Sequence, residues 1–156
     1  MLAKQCWGLC QFPDSLCARV LKAKYYTDTS VLEAKPKNGM SYTWRSVLRG
    51  LEVIKKGMIW RVGDGNNLRI SSHPWIPRDG LRRPITPKGA SLLLYVNELI
   101  NPVTGNWDEE LINDTFWPED ASIILSLPIF LENDNRLAWH YDKKGIFSVR
   151  SAYKVC

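Results

Sequence analysis

The chain has 156 residues, 45% of them hydrophobic and 24% charged, with a net charge of +5. Such values are ordinary for a globular protein and exclude a disordered or fibrous chain. The length allows one domain, or two small subdomains, with a sizeable core.

The charge is uneven. Residues 1–90 carry 16 Lys/Arg and 6 Asp/Glu, a net +10, whereas residues 91–156 carry 5 and 10, a net −5. A basic front and an acidic back point to nucleic-acid contact or to contact between the halves. The opening MLAKQCWGLCQFP is too polar for a signal peptide, and no run approaches a membrane span. Cys6, Cys10, Cys17 and Cys156 are then expected to be free thiols in a reducing, intracellular compartment.

Residues 2–11 read as a helix ended by Pro13. Asp14 or Ser15 caps a second, which runs to about Tyr26. Its apolar positions Leu16, Cys17, Val20, Leu21 and Tyr25 keep a helical period and are expected to face inward. Cys6, Cys10 and Cys17 share one side of a helical wheel, which suits small core residues. A zinc site wants four closely set ligands. Residues 27–40 have no periodicity and contain Pro36 and Gly39, so they read as a loop.

Ser41 or Thr43 opens the central helix. Trp44, Val47, Leu48, Leu51 and Ile54 form its inward stripe. Arg45, Arg49, Glu52 and Lys56 lie on one outward strip. Gly50 invites close approach by a neighbour, and Gly57 suits the left-handed position that ends a helix. Period-two alternation follows in Met58–Val62 and again in Leu68–Ser71, around Gly63-Asp64-Gly65-Asn66. That predicts a hairpin over 58–71 with Arg61 and Arg69 on one face. Gly-x-Gly can also cradle a phosphate, but such a loop leads into a helix; here it leads into a second apolar alternation, so a turn is the better reading. Residues 76–95, with Arg78, Arg82, Arg83 and Lys88, read as a basic connector: either a plain surface loop or an arm that contacts a nucleic-acid backbone.

Short helices are predicted at 96–100, after an Asp108 cap, and from Pro118 to Leu127. Glu109, Glu110, Glu119 and Asp120 are first-turn residues, as a helix dipole favours. A second hairpin is predicted over 136–149, followed by a helix capped by Ser151 that stops in its first turn. That stop suggests a truncated product. The fold class is α+β, mainly helical, with two short antiparallel hairpins and a small sheet packed on helices. Its two regions are a basic one (1–90) and an acidic one (91–156).

AKQCWGL at 3–9, DSLCARVLKAKYY at 14–26, SYTWRSVLRGLEVIKKGMIWRVGDGNNLRI at 41–70, HPWIP at 73–77 and WHYDKKGIFSVRSAY at 139–153 together resemble a known family. They are similar to the segment between the polymerase and the zinc-binding domain of plant non-LTR (LINE-type) retrotransposon reverse transcriptases. The resemblance covers nearly the whole chain, and its most specific part is the middle block. It implies a nuclear, retroelement context and contact with a polymerase or zinc domain in a longer parent protein. It carries over no chemistry. The polymerase's Tyr/Phe-x-Asp-Asp strand has no counterpart here, the Cys/His zinc ligands would follow the Ser-Ala-Tyr at 151–153, and RNase H carboxylates are absent from the sequence.

No catalytic residue, metal ligand or cofactor site is therefore expected, and no membrane contact. The expected activity is weak, sequence-independent contact with RNA or DNA phosphates through Arg45, Arg49, Lys56, Arg61 and Arg69. The alternative is a structural spacer or interaction module, or an inactive remnant. A stand-alone enzyme is the least supported: there is no nucleophile–base pair and no nucleotide fingerprint.

Overall fold

In the computed structural model residues 2–85 and 92–155 are described, so Lys88 and Cys156 of the expectations above lie outside them. The elements in order are α1 (Leu2–Gln11), α2 (Leu16–Tyr25), α3 (Tyr42–Gly57), β1 (Met58–Arg61), α4 (Glu109–Thr115), α5 (Pro118–Ser126), β2 (Arg136–Trp139) and α6 (Val149–Tyr153), with short 3-10 turns at Val31–Glu33 and Val96–Leu99. The fold is mainly helical α+β with one small antiparallel sheet. The chain divides into two compact units, one of Met1–Met58 with Trp139–Cys156, the other of Ile59–Ala138.

In the first unit α1 packs along α3. Ser41 caps α3 by accepting from Trp44 N at 3.2 Å. Trp44, Val47, Leu51 and Ile54 are buried and Leu48 half-buried, so the expected stripe faces the core. Burying one such side chain is worth about 1.5–3 kcal/mol. Gly50 allows the close approach: a Cβ there would run into Cys6 Sγ. Both Tyr25 and Tyr26 stack on Trp44, with centroids at 4.6 and 5.6 Å. Trp7, Trp139 and Phe147 form a second aromatic group, and Trp7 lies 5.4 Å from Phe147 in a stacked pair.

Gly57 corrects one expectation. It is not left-handed; α3 ends on an extended Met58. Glycine is required there because the Trp139 indole occupies the space a Cβ would fill. α2 corrects another. Ala18 and Tyr25 are its buried residues, whereas Leu16 and Val20 are 76% and 59% exposed and Cys17 is exposed. The buried face is turned away from the leucine and valine because the two tyrosines at the helix end reach Trp44.

The second unit builds its core from Val62, Leu68, Ile70, Trp75, Ile76, Val96, Leu99, Ile112, Phe116 and Ile124. Two of its four indole donors find a carbonyl: Trp75 Nε1 donates to Ile70 O and Trp107 Nε1 to Leu127 O. Asp108 caps α4 as expected, and Pro118 stands at the first turn of α5.

Neither predicted hairpin forms. β1 and β2 pair with each other instead, across more than 70 intervening residues. Residues 68–70 pair with 94–96: Ile70 N donates to Leu94 O, Val96 N donates to Leu68 O, and Arg69 bridges Tyr95. Residues 140–145 do form a turn, closed by Trp139 N donating to Gly145 O. The chain then enters α6, which Ser148 caps three residues before the expected Ser151. Both pairs of alternating segments have the residues of a hairpin, but only the first arm of each becomes a strand.

Candidate nucleic-acid interface

The five basic residues singled out from the sequence fall in different units. Arg45, Arg49 and Lys56 lie exposed on α3 in the first unit. Glu52, on the same strip, pairs with Lys55 at 3.2 Å, an exposed i,i+3 contact worth a few tenths of a kcal/mol, about 0.3–0.5. Arg61 and Arg69 are exposed in the second unit. Because 68–70 does not pair with β1, the alternation no longer places the two on a common face. The Arg69 guanidinium lies 5.8 Å from the centre of the Tyr95 ring.

Two arginines of the basic connector, Arg78 and Arg82, are turned inward, while Arg83 is exposed. Arg78 donates to Asp120, to Leu81 O and to Arg83 O. Asp120 is fully buried, and its second oxygen accepts from Ile85 N at 2.7 Å. Arg82 is 7% exposed, and its carbonyl accepts from Trp75 N and Ile76 N. So Arg78 and Arg82 hold residues 75–85 against the second unit's core. A backbone-contacting arm needs them in solvent.

Gly63-Asp64-Gly65 is a turn whose amide groups are already used. Gly63 N and Gly65 N both donate to Asn135 Oδ1 at 3.0 Å. Asp64 Oδ1 accepts from Asn66 N, and Asn135 Nδ2 donates to Asn66 O. Gly65 is left-handed (φ +75°) and a Cβ there would meet the Asn97 backbone. An anion cradle would need those N–H groups pointing outward. The turn borders a cavity of about 340 Å³, lined among others by Trp60, Asn67, His73 and Asp134. His73 Nδ1 accepts from Arg69 N, which puts the ring proton of the neutral form on Nε2. Two carboxylates, Asp64 and Asp134, border this cavity, the opposite of what a phosphate requires.

Counting charge by unit sharpens the contrast. The first unit has 14 Lys/Arg and 5 Asp/Glu, a net +9; the second has 7 and 11, a net −4. Sequence order missed Lys143, Lys144, Arg150 and Lys154, which sit in the acidic back half of the chain but fold into the basic unit. Only the return of the chain after β2 brings them there.

Among the described residues no group of three or more His, Cys, Asp or Glu could hold a metal ion. Cys6 and Cys10 are free, with thiol pKa values pushed up to about 11 and about 12 by burial. Among the described residues no helix is long and apolar enough to cross a membrane.

The chain is 30% identical over 168 aligned positions to a protein of Arabidopsis thaliana named "Putative ribonuclease H protein". The match takes in 99% of this chain and 26% of that protein. It is also 32% identical over 76 residues to an "Uncharacterized mitochondrial protein" of the same plant, covering 49% of each. The chain thus spans about a quarter of the first relative and half of the second. No family model matches the chain, and no solved structure matches it.

Proposed function

We propose that the chain is a non-catalytic segment of a plant retroelement reverse-transcriptase protein, and that its first unit contacts RNA or DNA through phosphates. The observation that carries this reading is the sorting of charge: a net +9 on one compact unit, with Arg45, Arg49 and Lys56 exposed along α3. Phosphate contact of this kind is sequence-independent and weakens steeply with salt. The retroelement origin rests on the sequence resemblance and agrees with a plant relative named for ribonuclease H. A nuclear location follows from that origin.

The non-catalytic reading rests on what the carboxylates do. Asp108 caps α4, Glu98 accepts two backbone amides, and Asp120 is bound to Arg78 and Ile85 N. Those oxygens are spent on structure. Metal-assisted phosphodiester cleavage needs a converging set of carboxylates to hold its ions.

Fluorescence anisotropy with a 20-nucleotide single-stranded RNA and a matching DNA duplex, at 50 and 200 mM salt, tests the contact. Binding at low salt that falls at high salt is expected. Arg45→Gln with Arg49→Gln should flatten the log–log salt slope by about 1.4 on a single strand. Absence of binding at low salt would overturn the reading.

A second reading, an interaction module for a polymerase or zinc domain of a longer parent, is favoured by one feature. Phe12, Leu16 and Val20 are 67%, 76% and 59% exposed at or near the start of α2. Apolar side chains grouped in this way suit a protein partner.

A further inference from the structure

We infer that the end of α3 and the turn after β2 form one composite site for single-stranded nucleic acid, with lysines for its phosphates and Tyr141 as a stacking surface for a base. The inference rests on the nucleic-acid reading above and extends it to residues that the sequence order separates by more than 80 positions.

Three observations bring the site together. His140 N donates to the carbonyl of Gly57 at 2.8 Å, so the turn begins on the last residue of α3. The Trp139 indole fills the space beside Gly57 that a side chain would need. The turn is then closed on itself: Trp139 N donates to Gly145 O at 2.9 Å and Gly145 N to Asp142 O at 2.9 Å. All these residues belong to the first unit.

Lys55 and Lys56 directly precede Gly57, and Lys143 and Lys144 follow His140 by three and four residues; all four are exposed. Successive Cα atoms are about 3.8 Å apart, so Lys143 starts within roughly 11 Å of the His140 anchor, less because the chain turns. Each lysine stem adds several Å of reach.

Asp142 Oδ2 accepts from Lys144 N and Ile146 N at 2.8 and 3.0 Å, which fixes the shape of the loop that carries Lys143 and Lys144. Glu52 pairs with Lys55.

Tyr141 sets the strand class. It is 41% exposed, and its ring is steadied by Trp139 at 5.9 Å and by His140, edge-on, at 5.1 Å. An exposed ring held among lysines is how proteins grip unpaired bases without reading sequence. A duplex keeps its bases stacked and offers the ring nothing.

Anisotropy on the full chain with a fluorescein-labelled 12-nucleotide single-stranded RNA and a 12-base-pair DNA duplex separates the possibilities. Lys143→Gln with Lys144→Gln should flatten the single-strand salt slope by about 1.4, and Tyr141→Leu should weaken single-strand binding about tenfold while leaving the duplex unchanged. Tyr141→Phe, which keeps the ring, should bind as the parent does and guards against a folding defect. If the lysine pair leaves the slope unchanged while Arg45→Gln with Arg49→Gln flattens it, the composite site is wrong and the phosphate reading stands. If Tyr141→Leu weakens both strands equally, or neither, the single-strand assignment is wrong. If the parent chain binds neither, both readings fall.

Discussion

The two units of this molecule solve the same problem with opposite chemistry. The first packs its core around stacked rings, Tyr25 and Tyr26 on Trp44 and Trp7 on Phe147, and leaves a net +9 on its surface. The second packs aliphatic side chains around Trp75, spends Arg78 and Arg82 inside the fold, and carries a net −4. Two arginines of the second unit, Arg78 and Arg82, are thus framework, whereas Arg61 and Arg69 of that unit and Arg45 and Arg49 of the first are surface. A count of basic residues along the chain cannot tell these roles apart; burial and hydrogen bonding can.

The comparison breaks most sharply at Asp120. It is fully buried and holds Arg78, whose side chain is 21% exposed. Asp120→Ala leaves a largely buried guanidinium without its counter-charge, and the expected loss is about 3–5 kcal/mol. Urea unfolding followed by indole NMR signals reads each unit separately: Trp75 and Trp107 should lose structure at lower urea, while Trp44 holds its midpoint. Equal shifts at all three would mean that the units unfold together. The complementary change is Gly57→Ala. Its added methyl meets the Trp139 ring, and overpacking of this kind costs about 1–3 kcal/mol. Here the Trp44 signal should move first.

Much of the fold could be read from the chain. Helix starts were legible where a capping side chain and an apolar period agree, as at Ser15, Ser41 and Asp108. Strand pairing was not. Met58–Val62 and Leu68–Ser71 flank a Gly-Asp-Gly turn, and local pattern makes them partners. The partner of β1 is instead β2, and nothing in a four-residue strand encodes a mate so distant. The α2 face differs from its pattern for a related reason: Leu16 and Val20 have the right period, but the buried face is set by the distant Trp44, on which Tyr25 and Tyr26 stack. The exposed α3 strip was legible because a 16-residue helix with one apolar stripe leaves its basic side chains only the other face. Lys143 and Lys144 were not, since their unit is set by where the chain returns.

Thiol chemistry sharpens the description of the first unit. With Cys156 replaced by Ser, an Ellman titration at about pH 8 should label Cys17, which is exposed, much faster than Cys6 or Cys10. Burial, with a smaller contribution from neighbouring Cys6, pushes Cys10 up to about 12. Cys6 is also tied by its Sγ donating to Val47 O at 3.3 Å. At that pH the thiolate fraction of either is about a thousandth or less, so reaction waits on both ionisation and opening. Prompt reaction of all three would mean that α1 does not stay packed on α3.

The smallest effect lies in the second unit, at Glu98. Its Oε2 accepts from Leu94 N and Tyr95 N at 2.7 and 2.8 Å, which pins the start of the Val96–Leu99 turn. The Tyr95 and Leu94 amides hold the carboxyl below its ordinary value of 4.5, against a small opposing effect of burial. A carboxylate with a lowered folded pKa stabilises the fold above its ordinary pKa, and that contribution is lost as pH falls through the lowered value. Glu98→Gln should therefore lower the Trp75 and Trp107 midpoints slightly at neutral pH and leave them unchanged against the parent once Glu98 itself is protonated. The Trp44 midpoint should be the same for parent and variant at either pH, because nothing in the first unit depends on this charge. A difference between parent and variant that persisted in acid would mean that Glu98 acts through its shape rather than its charge.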